Sequence, residues 1–187
     1  SGVALEEAAQ LLTRAPLDLR VNRLKASRDS VRLPESAEPI PAPNGLRLPA
    51  GTPVEQWDEY RSGLIEVQDG GSQLACEAVA ARPGETIIDL CAGAGGKTLS
   101  LAAAMNNQGR IVASDTDRGR LSKLGPRAER AGASIIETLL TQAPVSAEIL
   151  YPIAWGGKQE YPYPRAHTHI RQLLDRFGAG RFLWGSD

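Results

Sequence analysis

Apolar residues along this chain fall into short runs punctuated by glycine and proline, and the spacing changes from run to run. Residues 4–14 carry helix formers with one apolar stripe, and Pro16 follows their end. Residues 18–25 place Leu19, Val21 and Leu24 loosely as in a strand. Leu33 to Pro53 holds six prolines and two glycines and is expected to be loop and extended chain. Gly63 to Val67 is a short apolar strand. Asp69-Gly70-Gly71-Ser72 makes a turn, with Ser72 placed to cap a helix running through Leu74, Ala75, Ala78 and Val79 to Ala81. Beyond the Pro83-Gly84 turn the pattern sharpens. Residues 85–90 read as a short buried strand, 92–96 as a glycine-rich loop, and 98–107 as a helix stopped by Gly109. Arg110 to Asp115 is the next strand. A helix over 117–131 is broken by Gly125-Pro126, and Ser134 to Thr138 opens a third strand. Strand, loop, helix, strand is the βαβ unit of a parallel, nucleotide-binding sheet. The fold class is therefore α/β: an incomplete Rossmann-like core over 66–138, preceded by a small α+β subdomain within 1–65. No internal repeat is present.

Composition adds bounds. The chain has 187 residues, 42% hydrophobic and 23% charged, with a formal net charge of -1, as in a globular domain with a small appendage. A near-neutral total does not exclude nucleic acid, because binding needs only a local basic face. The first 32 residues set Arg14, Arg20, Arg23, Lys25, Arg28 and Arg32 against four acids, which suits either a solvated surface or an RNA-facing edge. Cys76 and Cys91 are the two cysteines, so a reducing, cytoplasmic compartment is expected. No apolar run approaches the ~20 residues of a membrane span, and no signal peptide opens the chain. The first residue is not Met, and the chain is expected to be a fragment; a monomer without membrane contact is expected.

The glycine loop carries the chemistry. In Asp89-Leu90-Cys91-Ala92-Gly93-Ala94-Gly95-Gly96-Lys97-Thr98, glycines permit a tight turn and a close approach to a ligand, beside the free N–H groups of the following helix. A phosphate-binding P-loop needs glycine five positions before Gly96, and Cys91 stands there. The dinucleotide fingerprint needs a third glycine where the helix already runs through Lys97 and Thr98. An acid does close the second strand: Asp115, 22 residues after Gly93, where a carboxylate can accept both ribose hydroxyls of an adenosine. That arrangement is expected for S-adenosylmethionine.

Glu66-Val-Gln-Asp-Gly-Gly-Ser-Gln73, followed by Asp89 to Thr98, resembles the Sun (RsmB/NOP-type) family of RNA cytosine-5 methyltransferases. Leu19-Arg-Val-Asn-Arg-Leu-Lys25 resembles the strand that opens that family's small RNA-contacting subdomain, and the resemblance runs from about Pro16 to Thr138. It implies S-adenosylmethionine as cofactor and RNA, ribosomal RNA in bacteria, as partner. It further implies that Cys91, Ala92, Gly93, Ala94, Gly95, Gly96 and Lys97 wrap the methionine and ribose and that Asp115 holds the ribose. Asp89 and Thr98 would support the loop.

Cytosine C5 is a poor nucleophile until a thiolate adds to C6. The resemblance places that nucleophilic cysteine in a Pro-Cys motif beyond the third strand, with a second cysteine helping product release. This chain has no Pro-Cys and no cysteine after Cys91, so no catalytic residue is assigned. Cys91 reads as part of the cofactor loop and Cys76 as core. Cofactor binding without turnover is the expectation. After Thr138 the resemblance stops. Residues 149–187, ending in Phe182-Leu-Trp-Gly-Ser-Asp187, are similar to a late-barrel segment of amidohydrolases, metal-dependent (β/α)-barrel hydrolases, with Asp187 as the matching carboxylate. The chain then reads as a chimera with a foreign tail over 139–187. His167-Thr-His169 opens a helical run, where residues two apart diverge by roughly 200°, so a shared metal is not expected.

Overall fold

The computed structural model describes residues 15–141. They form two sheets. Strands β1 (Leu17–Val21), β2 (Glu38–Pro39), β3 (Gly45–Leu48) and β4 (Ile65–Val67) make an antiparallel sheet in the order β2-β3-β1-β4. Strands β5 (Thr86–Asp89), β6 (Arg110–Asp115) and β7 (Ile136–Leu140) make a parallel sheet in that order. This is the expected α/β architecture. The expected helix over 4–14 and the amidohydrolase-like reading of 149–187, with His167, His169 and Asp187, lie outside the described residues.

The proline-rich stretch contains more order than its composition suggests. β3 pairs with β1 from Leu17↔Leu48 to Arg20↔Gly45, and two-residue β2 pairs with β3 at the sheet's edge, where Pro39 is tolerated. Alternation then separates two faces. Leu19, Val21, Leu46, Leu48 and Ile65 are buried with Val54 and Trp57, from the short turn Val54–Gln56 and the residue after it. The other face carries Asp18, Arg20, Glu66 and, just past the strands, Asn22 and Gln68, each at most 7% exposed. That polar face is turned toward the parallel-sheet unit.

Its groups are paired within the antiparallel unit and across the junction. Asp18 takes two hydrogen bonds from Arg47 (2.7 and 2.9 Å) and one from the Gly70 backbone N–H (3.0 Å). Arg20 donates through Nε to Gln68 Oε1 (2.6 Å). Asn22 donates to the carbonyls of Gly63 (2.9 Å) and Ala131 (2.8 Å), and Lys25 Nζ to those of Ser62 and Arg130 (both 2.6 Å). Gly63, at φ +72°, lets the two backbones meet, since a Cβ there would lie 2.2 Å from the Arg130 carbonyl oxygen. Glu66, 1% exposed, accepts from Arg127 (2.9 Å) and from Arg130, and the Arg130 guanidinium lies 4.2 Å over the Tyr60 ring. Tyr60 belongs to the short helix α1 (Asp58–Arg61).

The two sheets are linked by α2 (Gly70–Val79). Its cap is Asp69, whose carboxylate accepts from Ser72 N–H (3.0 Å). Ser72 is thus the third residue of the helix and not its cap, because Gly70 must approach Asp18 and draws the helix start back. The parallel unit packs Ile87, Leu99, Leu101, Met105, Ile111, Leu121 and Leu124 into one core. Helix α3 (Gly96–Ala104) connects β5 to β6, starting two residues before the expected Thr98. Two helices, α4 (Arg118–Leu121) and α5 (Leu124–Ala131), replace the expected broken one. The break falls at Ser122–Lys123, before Gly125-Pro126, because Pro126 sits in the first turn of α5, where its missing N–H has no intrahelical acceptor to lose.

Two outcomes test this junction. Glu66→Gln should lower the free energy of unfolding by about 3 kcal/mol, the lower end of the range for breaking a buried ion pair, because both guanidiniums keep partial solvent access. Denaturant titration reads it. Asp18 is held below its ordinary 3.8 by the Arg47 hydrogen bonds, with burial opposing and Gly70 N–H assisting. A carboxyl lowered on folding contributes stability that is present above its unfolded pKa and lost as pH falls through the folded one. Asp18→Asn should therefore cost about 1–2 kcal/mol at pH 7 and make the loss of stability below pH 4 shallower than in the unsubstituted chain.

Candidate functional site: a glycine loop at the strand ends

The loop between β5 and α3 lies at the C-terminal edge of the parallel sheet, where α/β folds place their ligands. Its first constraint is Asp89, 4% exposed, whose carboxylate accepts from the Thr98 hydroxyl (2.7 Å). Burial pushes the Asp89 carboxyl up, and the Thr98 hydroxyl and Cys91 backbone N–H work against that shift. The bond closes the loop at its base, tying the last residue of β5 to the first turn of α3. Ser114 Oγ donates toward the carbonyls of Asp89 (3.4 Å) and Leu90 (3.3 Å), while Ala92 N–H donates to the Ser114 carbonyl (2.9 Å).

The crest of the loop is fixed from β6. Asp115, 6% exposed, accepts from Gly93 N–H through one oxygen (2.7 Å) and from Asp117 N–H through the other (2.8 Å). The acid assigned to the cofactor thus also holds the loop, with lone pairs left on each oxygen for a further donor. Asp117 in turn caps α4 by accepting from Arg120 N–H (3.0 Å), which lowers the Asp117 pKa. Gly93 (φ +53°) and Gly95 (φ +88°) are left-handed, and a Cβ on Gly95 would lie 2.1 Å from Leu124 Cδ1 of α5. A Cβ on Gly96 would meet nothing within 4 Å, so open space lies beside the loop at that residue.

Every residue assigned from the sequence falls on this one structure. Ala92, Gly93 and Gly95 are buried; Cys91, Ala94, Gly96 and Lys97 are half-buried; Asp115 lies at the loop's back. The first-turn N–H groups of α3 have no intrahelical acceptors and add the positive end of the helix dipole, which suits an anionic group such as a carboxylate. The residues present therefore fit an amino-acid nucleoside: helix N–H groups for its carboxylate, glycines for close approach, and a strand-end acid for ribose hydroxyls.

Sequence reasoning missed Ser114, Leu124 and, above all, Arg127, which donates through Nη1 to the Ala94 carbonyl (2.7 Å). Arg127 stands three residues after Leu124, on the same helical face, and that spacing was the available signal. Cys76 is buried, with its Sγ 3.9 Å from the Lys97 carbonyl, and burial pushes its thiol up. It is core, as expected. Among the described residues no group of three or more His, Cys, Asp and Glu is arranged to hold a metal ion, and no helix is long and apolar enough to cross a membrane.

Residues 76–149 match the family model described as 16S rRNA methyltransferase RsmB/F. The probable ribosomal RNA small subunit methyltransferase B of Synechocystis sp. is 39% identical over 128 residues, which are 65% of this chain and 29% of that protein. Ribosomal RNA small subunit methyltransferase B of Citrobacter koseri is 34% identical over 158 residues, 79% of this chain and 34% of that protein. Among solved structures, a methyltransferase homolog protein from Pyrococcus horikoshii gives a TM-score of 0.64 at 27% identity, covering 72% of this chain and 46% of that one. The chain spans about a third of the length of the curated relatives it matches. Over residues 76–149 this chain is similar to the RsmB/F rRNA methyltransferase family, and its α/β fold with a parallel sheet is like that of methyltransferase structures.

Proposed function

We propose that this chain is the S-adenosylmethionine-binding part of a methyltransferase forming 5-methylcytosine in ribosomal RNA. The observation that carries the reading is the loop closed on Asp115, with Gly93 N–H on one carboxylate oxygen and open space beside Gly96. Asp115 would take the ribose, the first turn of α3 the methionine carboxylate, and Cys91 to Lys97 the wall between them. When bound, S-adenosylmethionine supplies an activated methyl group.

The chain's own residues then do three things. They fix the cofactor's ends through preset donors and acceptors, so little reorganisation is needed on binding. They exclude water on the loop's inner side, where Leu124 packs under Gly95. They leave Lys97, half-buried at the start of α3, as a cation beside the open side of the loop. The antiparallel sheet is the element to which the family resemblance assigns RNA contact, and Arg23, Lys25, Arg28 and Arg32 follow its first strand.

One observation favours binding without turnover for these 187 residues. No cysteine follows Cys91, and the other cysteine, Cys76, is buried with its thiol pushed up by desolvation. Neither is placed as the nucleophile that cytosine chemistry needs.

Calorimetric titration with S-adenosylmethionine tests the cofactor site. Saturable binding is expected, weakened by about 1–3 kcal/mol in Asp115→Ala, which removes both the ligand contact and the tie to Gly93. A folded chain that binds nothing overturns the proposal. Incubation of ribosomal RNA with methyl-labelled cofactor should give no incorporation by the 187-residue chain, and measurable incorporation would show that a nucleophile has been overlooked.

A further inference from the structure

The loop is held from two directions that differ in kind. Asp89, Thr98, Ser114 and Asp115 all belong to the parallel-sheet unit, so their grip is independent of the antiparallel sheet. Arg127 is different. Its Nη1 donates to the Ala94 carbonyl (2.7 Å), and its Nη2 donates to Glu66 of β4 (2.9 Å).

The Ala94 carbonyl and the Gly95 N–H are two ends of one peptide unit. The N–H end donates to the Ala92 carbonyl (2.8 Å), and the carbonyl end is taken by Arg127. That peptide adjoins two glycines, whose freedom makes reorientation cheap unless both ends are bound. Leu124, fully buried, lies under Gly95 from the same face of α5. The orientation of this peptide sets the direction in which the chain enters α3, and so the aim of the first-turn N–H groups.

Arg127 cannot do this alone. Its long side chain loses rotamer freedom when fixed, and Glu66, 1% exposed, is what fixes it. Arg130 provides an internal comparison. It bonds the same carboxylate and stacks on Tyr60, and none of its contacts is with the loop.

Resting on the reading of the loop as an S-adenosylmethionine site, we infer that Arg127 is a positioning residue that couples docking of the antiparallel sheet, through Glu66, to the cofactor-binding geometry of the Ala94–Gly95 peptide. The sheet assigned to the RNA side and the loop assigned to the cofactor then share one mechanical link.

The test compares Arg127→Met, Arg130→Met and Glu66→Gln in the whole chain. Each is titrated with S-adenosylmethionine and followed by hydrogen exchange at the Gly95 amide without ligand. Arg127→Met should weaken binding at least tenfold and speed Gly95 exchange. Glu66→Gln, which leaves Arg127 in place but unfixed, should weaken binding about three- to tenfold. The double variant should bind no more weakly than Arg127→Met alone. Arg130→Met should lower the melting temperature yet bind within twofold of the unsubstituted chain. Equal losses in Arg127→Met and Arg130→Met, or none in Arg127→Met, would overturn the coupling. Should Arg127→Met not fold, Arg127→Lys, which keeps the charge but not the fork, is expected to fold and still bind more weakly; unchanged binding there counts against the inference. If the unsubstituted chain binds no cofactor, the functional reading fails. Gly95 exchange then decides the coupling separately: faster in Arg127→Met but not Arg130→Met supports it, and equal rates overturn it.

Discussion

A single carboxylate sits where the two halves of this structure meet. Glu66 is stripped of water on a strand of one sheet, and both of its guanidinium partners come from one helix of the other unit. Removing a carboxylate from water costs several kcal/mol, returned only when its lone pairs are met in good geometry. That condition ties β4 to α5 at a fixed distance and rotation. The neighbouring contacts repeat the constraint with backbone carbonyls as acceptors: Asn22 on the Ala131 carbonyl and Lys25 on the Arg130 carbonyl secure the end of the same helix. Helix α5 is therefore a bracket, with its C-terminus in the antiparallel sheet and its N-terminal turn under the glycine loop.

The face that the antiparallel sheet turns to the parallel-sheet unit is polar where most packed faces are apolar. Arg20 is 4% exposed, and burial lowers its pKa while Glu66 opposes that shift. Three arginines thus surround one glutamate, and the arrangement is tolerable because two of them, Arg127 and Arg130, keep about a fifth of their side chains in solvent. Such a face contributes little net stability compared with leucines, but it discriminates registers strongly. A one-residue slip of β1 would send Asp18 and Arg20 into the cluster of Leu46, Ile65 and Trp57, and Leu19 against Glu66. Charges without partners would then be buried on both sides.

Local pattern made part of this visible in the sequence. β6 was legible to the residue, because Arg110 to Asp115 follows a glycine, ends on an acid and centres on the apolar run Ile111-Val112-Ala113. The loop was legible because its glycines are compressed into a few consecutive residues, and Asp115 because an acid closes the next strand. The cap of α2 was misplaced from Asp69 to Ser72, since either side chain can cap and the deciding contact, Gly70 with Asp18, spans 52 residues. β3 hid among prolines, because its pairing with β1 is tertiary and leaves no periodic mark in four residues. Arg127 escaped for the same reason. Its spacing from Leu124 marks a shared helical face, but not the carbonyl 33 residues away that it reaches.

These contacts also explain why the loop can be rigid while rich in glycine. Glycines alone would leave it entropically free, and every ordered residue must be compensated by contacts. Here the polar ends of the loop are met by Asp89–Thr98 at the base, Asp115–Gly93 at the crest and Arg127–Ala94 on the flank. The first two are intrinsic to the βαβ unit and would persist if the antiparallel sheet were displaced. The third would not, because its donor is shared with Glu66. Rigidity at the flank is thus on loan from the other sheet, and the free energy of docking the sheets and that of ordering the loop are not separable quantities.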